Sequence, residues 1–321
     1  MTLALLMALL PCERQVGERS AAISYAFSAK ERVVIVSDAR AWSPPRAMKD
    51  ALIAVSPKGD CLLAVERQEP GNPGYECAID LVDLKSHRVR RIAVPLLTTK
   101  FRELFKAKLW APKLHCTFGR APNTALIWDS THQLLYRVNL ITGKATLILS
   151  SEDIKGWVPR EKHANPETSN IVYDSERDRV FIAIAGDTSI SPGEELTRYP
   201  VTLEVNLTTR RMRKLGPGMP VGILASGKLC TWQLDGMGSR AWILDQDGRK
   251  LAERRNIVGL SVHGDRVLCL GQRVAKALEP EPRVERRLEI LDSKLKHHSW
   301  GPEIDPGFKW MLGATLIAVK L

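Results

Sequence analysis

Five times along this chain an apolar run reaches an Asp or Asn, turns within a few residues, and resumes as a short basic stretch. The runs are Ile79–Leu84, Tyr136–Leu140, Leu203–Leu207, Trp242–Asp245 and Leu288–Asp292, with the turn residue at Asp83, Asn139, Asn206, Asp245 or Asp292. A side-chain oxygen at such a point accepts backbone N–H groups two residues on, which caps a tight hairpin without help from the rest of the fold. A short hairpin cannot bury its apolar faces alone, so a chain that repeats one must stack the copies against each other. Stacked antiparallel sheets with a common hairpin define an all-β ring, the β-propeller.

Upstream of each capped hairpin lies another strand pair. Examples are Leu52–Ser56 with Cys61–Glu66, Leu114–Phe118 with Thr124–Asp129, and Ile171–Asp174 with Val180–Ala185. Val221–Ala225 with Lys228–Leu234 and Ile257–Val262 with Arg266–Leu270 follow the same plan. Each unit therefore reads as four short strands, and Lys58-Gly59, Thr142-Gly143, Ser226-Gly227, Asp247-Gly248 and His263-Gly264 mark turns. Two incomplete pairs remain, Phe308–Met311 with Thr315–Leu321 and Ala22–Phe27 with Arg32–Val36. Joining them two and two gives a six-bladed propeller of four-stranded antiparallel blades, the last closed by the N-terminal hairpin; seven blades is the alternative. One domain then covers 21–321, with 1–20 outside it as a leader or an apolar N-terminal segment.

One stretch adds a family likeness. Ser56–Pro57–Lys58–Gly59–Asp60–Cys61–Leu62–Leu63–Ala64–Val65 resembles the Ser-Pro-Asp-Gly-x-x-Leu-Ala motif of the TolB and WD40-like propeller repeats, with Lys58 in place of the usual Asp. Ala225–Leu229 and Val262–Leu268 are weaker copies. The resemblance implies a propeller and carries over no partner and no catalytic residue.

In a four-stranded blade, the connections after strands one and three share one face, and those after strands two and four share the other. The first class is tight throughout. The second includes 37–50, 67–76, 95–113, 150–170, 186–199, 272–284 and 300–307, all read as long irregular loops. Long connections are where binding residues concentrate, so the loop-rich face is the expected site.

Composition sets limits on partners. Lys plus Arg number 47 against 36 Asp plus Glu, a net charge of +11, which favours anionic contacts. The cations cluster on the outermost strands: Arg88, Arg90 and Arg91; Arg210, Arg211, Arg213 and Lys214; Arg249, Lys250, Arg254 and Arg255; Lys294 and Lys296. Such a rim holds an anionic polymer or membrane surface, or it simply protects exposed sheet edges from pairing. Protection is favoured, because these strands lack the aromatics that stack on bases. No apolar stretch reaches the ~20 residues of a membrane-spanning helix. Residues 2–11 have the length of an export signal's apolar region but lack its basic start. That leaves a periplasmic or secreted location if they act as a leader, and a cytoplasmic one otherwise.

Six cysteines show no zinc spacing. They read as buried, inert thiols, with a Cys61–Cys77 bridge open on the grounds that their strands are neighbours. Among polar residues, His163, Asn165 and Glu167 alternate on an extended segment entering the third blade, and His115 starts an inner strand near the channel. Trp157, Trp110 and Trp42 fall in long loops and fit a ligand pocket; Trp128, Trp232 and Trp242 fall in strands and fit the core. No Gly-x-Ser-x-Gly elbow and no phosphate-binding Gly loop occurs.

Two functions follow from these readings. The first is a non-enzymatic, monomeric propeller without a cofactor. It serves as a protein-interaction or envelope-associated platform through its loop-rich face, with His115, Trp157, His163, Asn165 and Glu167 at the partner site. The alternative is a propeller hydrolase or lyase holding a divalent cation such as Ca²⁺ at the channel mouth through His163, Asn165, Glu167 and Asp305, with Asp187 and Glu194 also in reach.

Overall fold

The computed structural model of the chain describes residues 24–28, 33–37, 40–45, 48, 51–65, 76–107, 112–157, 170–184, 200–235, 238–275, 283–303 and 316–319. Among these, the strands form six antiparallel four-stranded sheets, so the chain is an all-β propeller of four-stranded blades. Five blades are each built from one continuous stretch. The first comprises β4 (Leu52–Val55), β5 (Cys61–Val65), β6 (Ala78–Asp83) and β7 (Val89–Ala93). The second holds β8 (Leu114–Phe118), β9 (Thr124–Asp129), β10 (Leu134–Asn139) and β11 (Ala145–Leu149). The third holds β12 (Ile171–Asp174), β13 (Arg179–Ile184), β14 (Val201–Asn206) and β15 (Met212–Pro217). The fourth holds β16 (Met219–Ile223), β17 (Leu229–Asp235), β18 (Gly238–Leu244) and β19 (Lys250–Arg255). The fifth holds β20 (Val258–His263), β21 (Arg266–Ala275), β22 (Arg283–Leu291) and β23 (His297–Glu303).

The remaining sheet is composite. β24 (Leu316–Val319) pairs with β1 (Ser24–Ser28), which continues through β2 (Val33–Ser37) to β3 (Arg40–Trp42). The junction is antiparallel, with Ser24 opposite Val319 and Phe27 opposite Leu316. Among the described residues one C-terminal strand meets three N-terminal ones, so the N-terminal share is a strand larger than the expected two. The extra strand, β3, lies in a stretch read as loop. Residues 308–311, expected as a strand, lie outside the described residues, as does the whole of 1–20.

Why the strands look apolar end to end follows from the packing. Each blade is sandwiched between two others, so both of its faces are buried and alternate residues serve different neighbours. On β5, Leu63 and Val65 join a cluster with Leu114, Cys116 and Ile127 of the second blade. Leu62 and Ala64 turn the other way, to Ala26, Val33 and Ile35 of the composite sheet. On β9 the same alternation sends Ile127 to the first blade and Trp128 to the third. Trp128, Trp232 and Trp242 are all buried, as expected of core residues.

The five capped turns form as read. Asp83 Oδ1 accepts the N–H groups of Lys85 (3.0 Å) and Ser86 (2.6 Å), and Asn139 Oδ1 those of Ile141 (2.8 Å) and Thr142 (3.0 Å). Asn206 Oδ1 binds Thr208 and Thr209, Asp245 Oδ1 binds Asp247 and Arg249, and Asp292 Oδ1 binds Lys294 and Lys296. Each turn then reverses through one left-handed residue: His87, Gly143, Arg210, Gly248 or Leu295. The motif at Ser56–Val65 has its own logic. Ser56 Oγ accepts from the N–H of Asp60 and of Cys61, both at 3.1 Å, while Gly59 takes a φ of 73°.

Three further sequence expectations change. Residues 95–113 are not irregular, since Pro95–Lys106 form a helix, α1. Its Leu97 and Phe101, one turn apart, are buried in the cluster between the first two blades. Residues 272–284 are not all loop, because β21 runs to Ala275 and β22 begins at Arg283. The Cys61–Cys77 bridge is excluded: both thiols are free. Their strands are indeed adjacent, but Cys61 lies opposite Asp83 while Val65 faces Ile79, so Cys77 sits past the far end of the pair. A short second helix, α2 (Ser151–Ile154), follows β11 and is started by a capping box between Ser150 and Asp153.

Candidate binding face

The two faces of the ring are finished differently. On the tight side, the third-strand turn of each of the first three blades is tied to the turn after that blade's first strand. Leu84 N–H donates to Asp60 O (2.9 Å), Leu140 to Asn123 O (2.8 Å) and Leu207 to Asp178 O (2.8 Å). Across blades, Ala225 N–H reaches Gly264 O at 3.0 Å and Ser226 N–H reaches Asp265 Oδ1 at 2.9 Å.

The opposite side carries the long connections, and they are unevenly distributed. Between the third and fourth blades a single residue, Gly218, links β15 to β16. Asn256 and Ile257 alone separate β19 from β20. The connections into the second and third blades are far longer and hold α1 and α2. The longest connections on this face are therefore those into the second and third blades and within the third, and the fourth blade is trimmed close to its strands.

His115 and Trp157 both sit at the junction of the second and third blades, yet neither is presented as a free ligand. On β8, Leu114 and Cys116 pack toward the first blade, so the intervening His115 points toward the third. It is buried, and its Nε2 lies 3.4 Å from Ser130 Oγ. His115 is therefore held within the inter-blade packing. Trp157, half-buried, packs with Ile148 and Tyr173 against the same core. Trp42 is on β3, with its ring 4.3 Å from that of His87. His163, Asn165, Glu167, Asp187, Glu194, Asp305 and Trp110 lie outside the described residues.

The turn between β9 and β10 gathers polar groups the sequence reading passed over. Asp129, buried, accepts the N–H groups of Thr131 (3.1 Å) and His132 (3.2 Å), and its Oδ2 lies 2.8 Å from His132 Nδ1. Ser130 Oγ meanwhile donates to Lys113 O at 3.3 Å. Serine, histidine and aspartate are all present, but not as a relay. The histidine beside Ser130 is His115, while the one held by Asp129 is His132. A nucleophile needs its own base, oriented by a third group, and here the carboxylate serves a turn instead. Asp-Ser-Thr-His at 129–132 could have announced that cap from sequence alone.

Burial also pushes the Cys116 and Cys230 thiols up to about 12 and raises that of Cys269, with the Glu289 carboxylate adding to the last. Among the described residues, no three His, Cys, Asp or Glu side chains converge as a metal-holding group.

The outer-strand cations partly cross between blades. Arg213 of β15 binds Glu204 Oε2 at 2.8 Å and reaches the carbonyl of Gln246 in the next blade. Arg254 of β19 binds both Glu289 oxygens at 2.9 Å and Leu295 O at 3.3 Å, all in the fifth blade. Reading these two purely as edge protection is corrected, since each ties its blade to a neighbour. His297 lies with Nδ1 3.0 Å from Glu289 Oε1.

Compared with known proteins, the chain matches no family model, and no curated protein is similar to it in sequence. Its fold does have solved counterparts. A chain in the crystal structure of a nidogen/laminin complex aligns with a TM-score of 0.57 at 12% identity, covering 93% of this chain and 98% of that one. TolB from Acinetobacter baumannii aligns at 0.53 and 10% identity, over 92% of this chain and 66% of that one. A putative TolB from Agrobacterium tumefaciens gives 0.53 and 11%, over 93% and 99%. At these identities the likeness is one of fold alone, the β-propeller that the Ser56–Val65 motif also implied. No helix among the described residues is long and apolar enough to cross a membrane.

Proposed function

We propose that this chain is a non-enzymatic six-bladed propeller, a binding platform that engages a protein partner through the loop-rich face of its first three blades. The asymmetry of the two faces carries the reading. One is closed by internally bonded turns, and the other concentrates its long connections on one side. Connections that serve only to link strands are short in this same molecule, as Gly218 shows, so the extra length elsewhere has a use beyond linkage. The polar groups beneath that face add support, since Asp129, Ser130 and His115 are engaged in holding the backbone and packing. The likeness to a chain in a nidogen/laminin complex fits a propeller that docks on another protein, and it supports the reading as analogy.

The test is chemical crosslinking and affinity capture with the intact chain beside a variant in which 158–169 and 186–199 are replaced by short Gly-Ser links. A stoichiometric partner captured by the first and lost by the second is expected. Capture that is indifferent to those segments places the partner elsewhere and overturns the proposal. The metal-enzyme alternative, with His163, Asn165, Glu167 and Asp305, is separated by calorimetric titration with Ca²⁺. Saturable binding abolished in a Glu167→Gln variant would favour it.

A further inference from the structure

We propose that the tight-turn face is a second docking surface, one for a lipid bilayer bearing anionic headgroups. The observation is a coincidence of position across all five continuous blades. In each third-strand turn, the residue after the left-handed position closes the hairpin with its carbonyl, which accepts the N–H of the capping residue. The pairs are Arg88 with Asp83 (2.8 Å), Lys144 with Asn139 (2.9 Å), Arg211 with Asn206 (2.9 Å), Arg249 with Asp245 (3.0 Å) and Lys296 with Asp292 (2.9 Å). The fold needs only the backbone of that residue, so its side chain is free to vary. In each of these five blades it is Arg or Lys, and in each it is exposed.

Two structural explanations do not cover all five. Charges that protect a sheet edge belong on the outermost strand, but each of these residues precedes that strand, which starts one residue later at Val89, Ala145, Met212, Lys250 or His297. Neutralising a capping carboxylate would account for Arg88 and Lys296, which lie near Asp83 and Asp292. It cannot account for Lys144 and Arg211, whose caps are the neutral amides Asn139 and Asn206.

Equivalent points on successive blades of a ring lie in one plane around its axis. A bilayer meets such a set all at once, whereas a single linear polyanion crosses the ring at only a few points. The same face carries Ile141, 60% exposed at the tip of the second blade's turn and adjacent in sequence to the hairpin that holds Lys144. An apolar tip beside cations suits the headgroup boundary, where charge attracts and hydrocarbon inserts. The net charge of +11 assists the approach. Docked this way, the ring would turn its loop-rich face outward, but the lipid surface stands without any protein partner and is tested without one.

The experiment is sedimentation of the full chain with vesicles of phosphatidylcholine containing roughly one part in four of phosphatidylglycerol, against pure phosphatidylcholine vesicles. Binding to the anionic vesicles only, weakening steeply between about 0.1 and 0.5 M salt, is expected. A Lys144→Gln/Arg211→Gln double variant should lose roughly thirtyfold in partition coefficient, and Ile141→Ser should weaken binding in low and high salt alike. The control is Lys100→Gln/Lys106→Gln on α1, which removes equal charge from the opposite side and should bind as the parent does. An equal loss in both double variants, absence of vesicle binding, or tight binding to heparin without binding to vesicles would each overturn the proposal. Thermal melts that match the parent's confirm that the exposed substitutions leave the fold intact.

Discussion

At the scale of single residues, this protein repeats one solution, a side-chain oxygen that accepts the two or three N–H groups a tight turn leaves exposed. Aspartate and asparagine both provide it, and the difference between them is measurable. The Asp83 carboxylate is held below the ordinary value of 3.8, first by the backbone of Ser86, and Asp292 likewise by that of Lys296. A carboxylate depressed on folding contributes stability that is complete above its unfolded pKa and is lost as pH falls through the lower, folded one. Replacing Asp83 and Asp292 together by Asn keeps the acceptor, as Asn139 and Asn206 demonstrate, but removes the ionisation. The expected outcome is a double variant near the parent in urea midpoint at about pH 6, with a flatter decline between about pH 4 and 2. An acid limb as steep as the parent's would show that these caps do not govern it. The caps were legible in sequence because their chemistry spans only two or three residues. The partners of Arg213 and Arg254 were not, because Gln246 and Glu289 belong to the next blade and no local pattern joins them. Leu295 shows the same limit. Its left-handed φ of 59° disfavours a side chain by about 1–2 kcal/mol, yet its burial at 3% exposure between the fourth and fifth blades offsets that strain.

At the scale of elements, α1 is the instructive case. Pro95-Leu-Leu-Thr-Thr-Lys-Phe-Arg-Glu-Leu-Phe-Lys106 places Leu97, Phe101 and Leu104 at helical spacing and puts Pro at the first helical position. A reading tuned to period-two strands passes over one helix set among them, and the preceding strand pattern makes Pro95 look like a loop signal. Thr98 fastens the helix: its Oγ1 accepts the N–H of Cys77 at 3.0 Å and donates to Val94 O at 3.2 Å. The helix is thereby joined to the entry of β6 as well as to the core. Phe101 fills the space between the first two blades at 6% exposure. Phe101→Ala is therefore expected to destabilise the chain by about 3 kcal/mol, read from denaturant melts. A loss under about 1 kcal/mol would mean that α1 is an appendage and not a part of that core. Because α1 also underlies the loop-rich face, the same variant checks whether that face depends on the helix for its shape.

At the scale of the whole molecule, stability rests on closure. Each blade buries both faces only if it has two neighbours, so an open ring would leave two apolar sheet faces in water. The pairing of β24 with β1 supplies the missing contact, joining strands that are almost the full chain apart in sequence. That the two ends meet was readable, because leftover half-units at both ends of a repeat have nowhere else to pair. How they share the sheet was not: β3 has only three residues, too few for an alternation to show. The register now specifies the test. Tyr25 and Ala318 are cross-strand partners, so a Tyr25→Cys/Ala318→Cys variant should form a disulfide that clasps the ring. Linking such distant residues restricts the unfolded chain strongly, and oxidation should raise stability by about 3 kcal/mol over the reduced form. The shift should vanish on adding reductant, and the parent, whose described thiols are free, should show none of it. A variant that folds but forms no bridge would place the two ends apart. Equivalent turns could not then be assumed to lie in one plane, and both faces assigned to binding would lose their geometric basis.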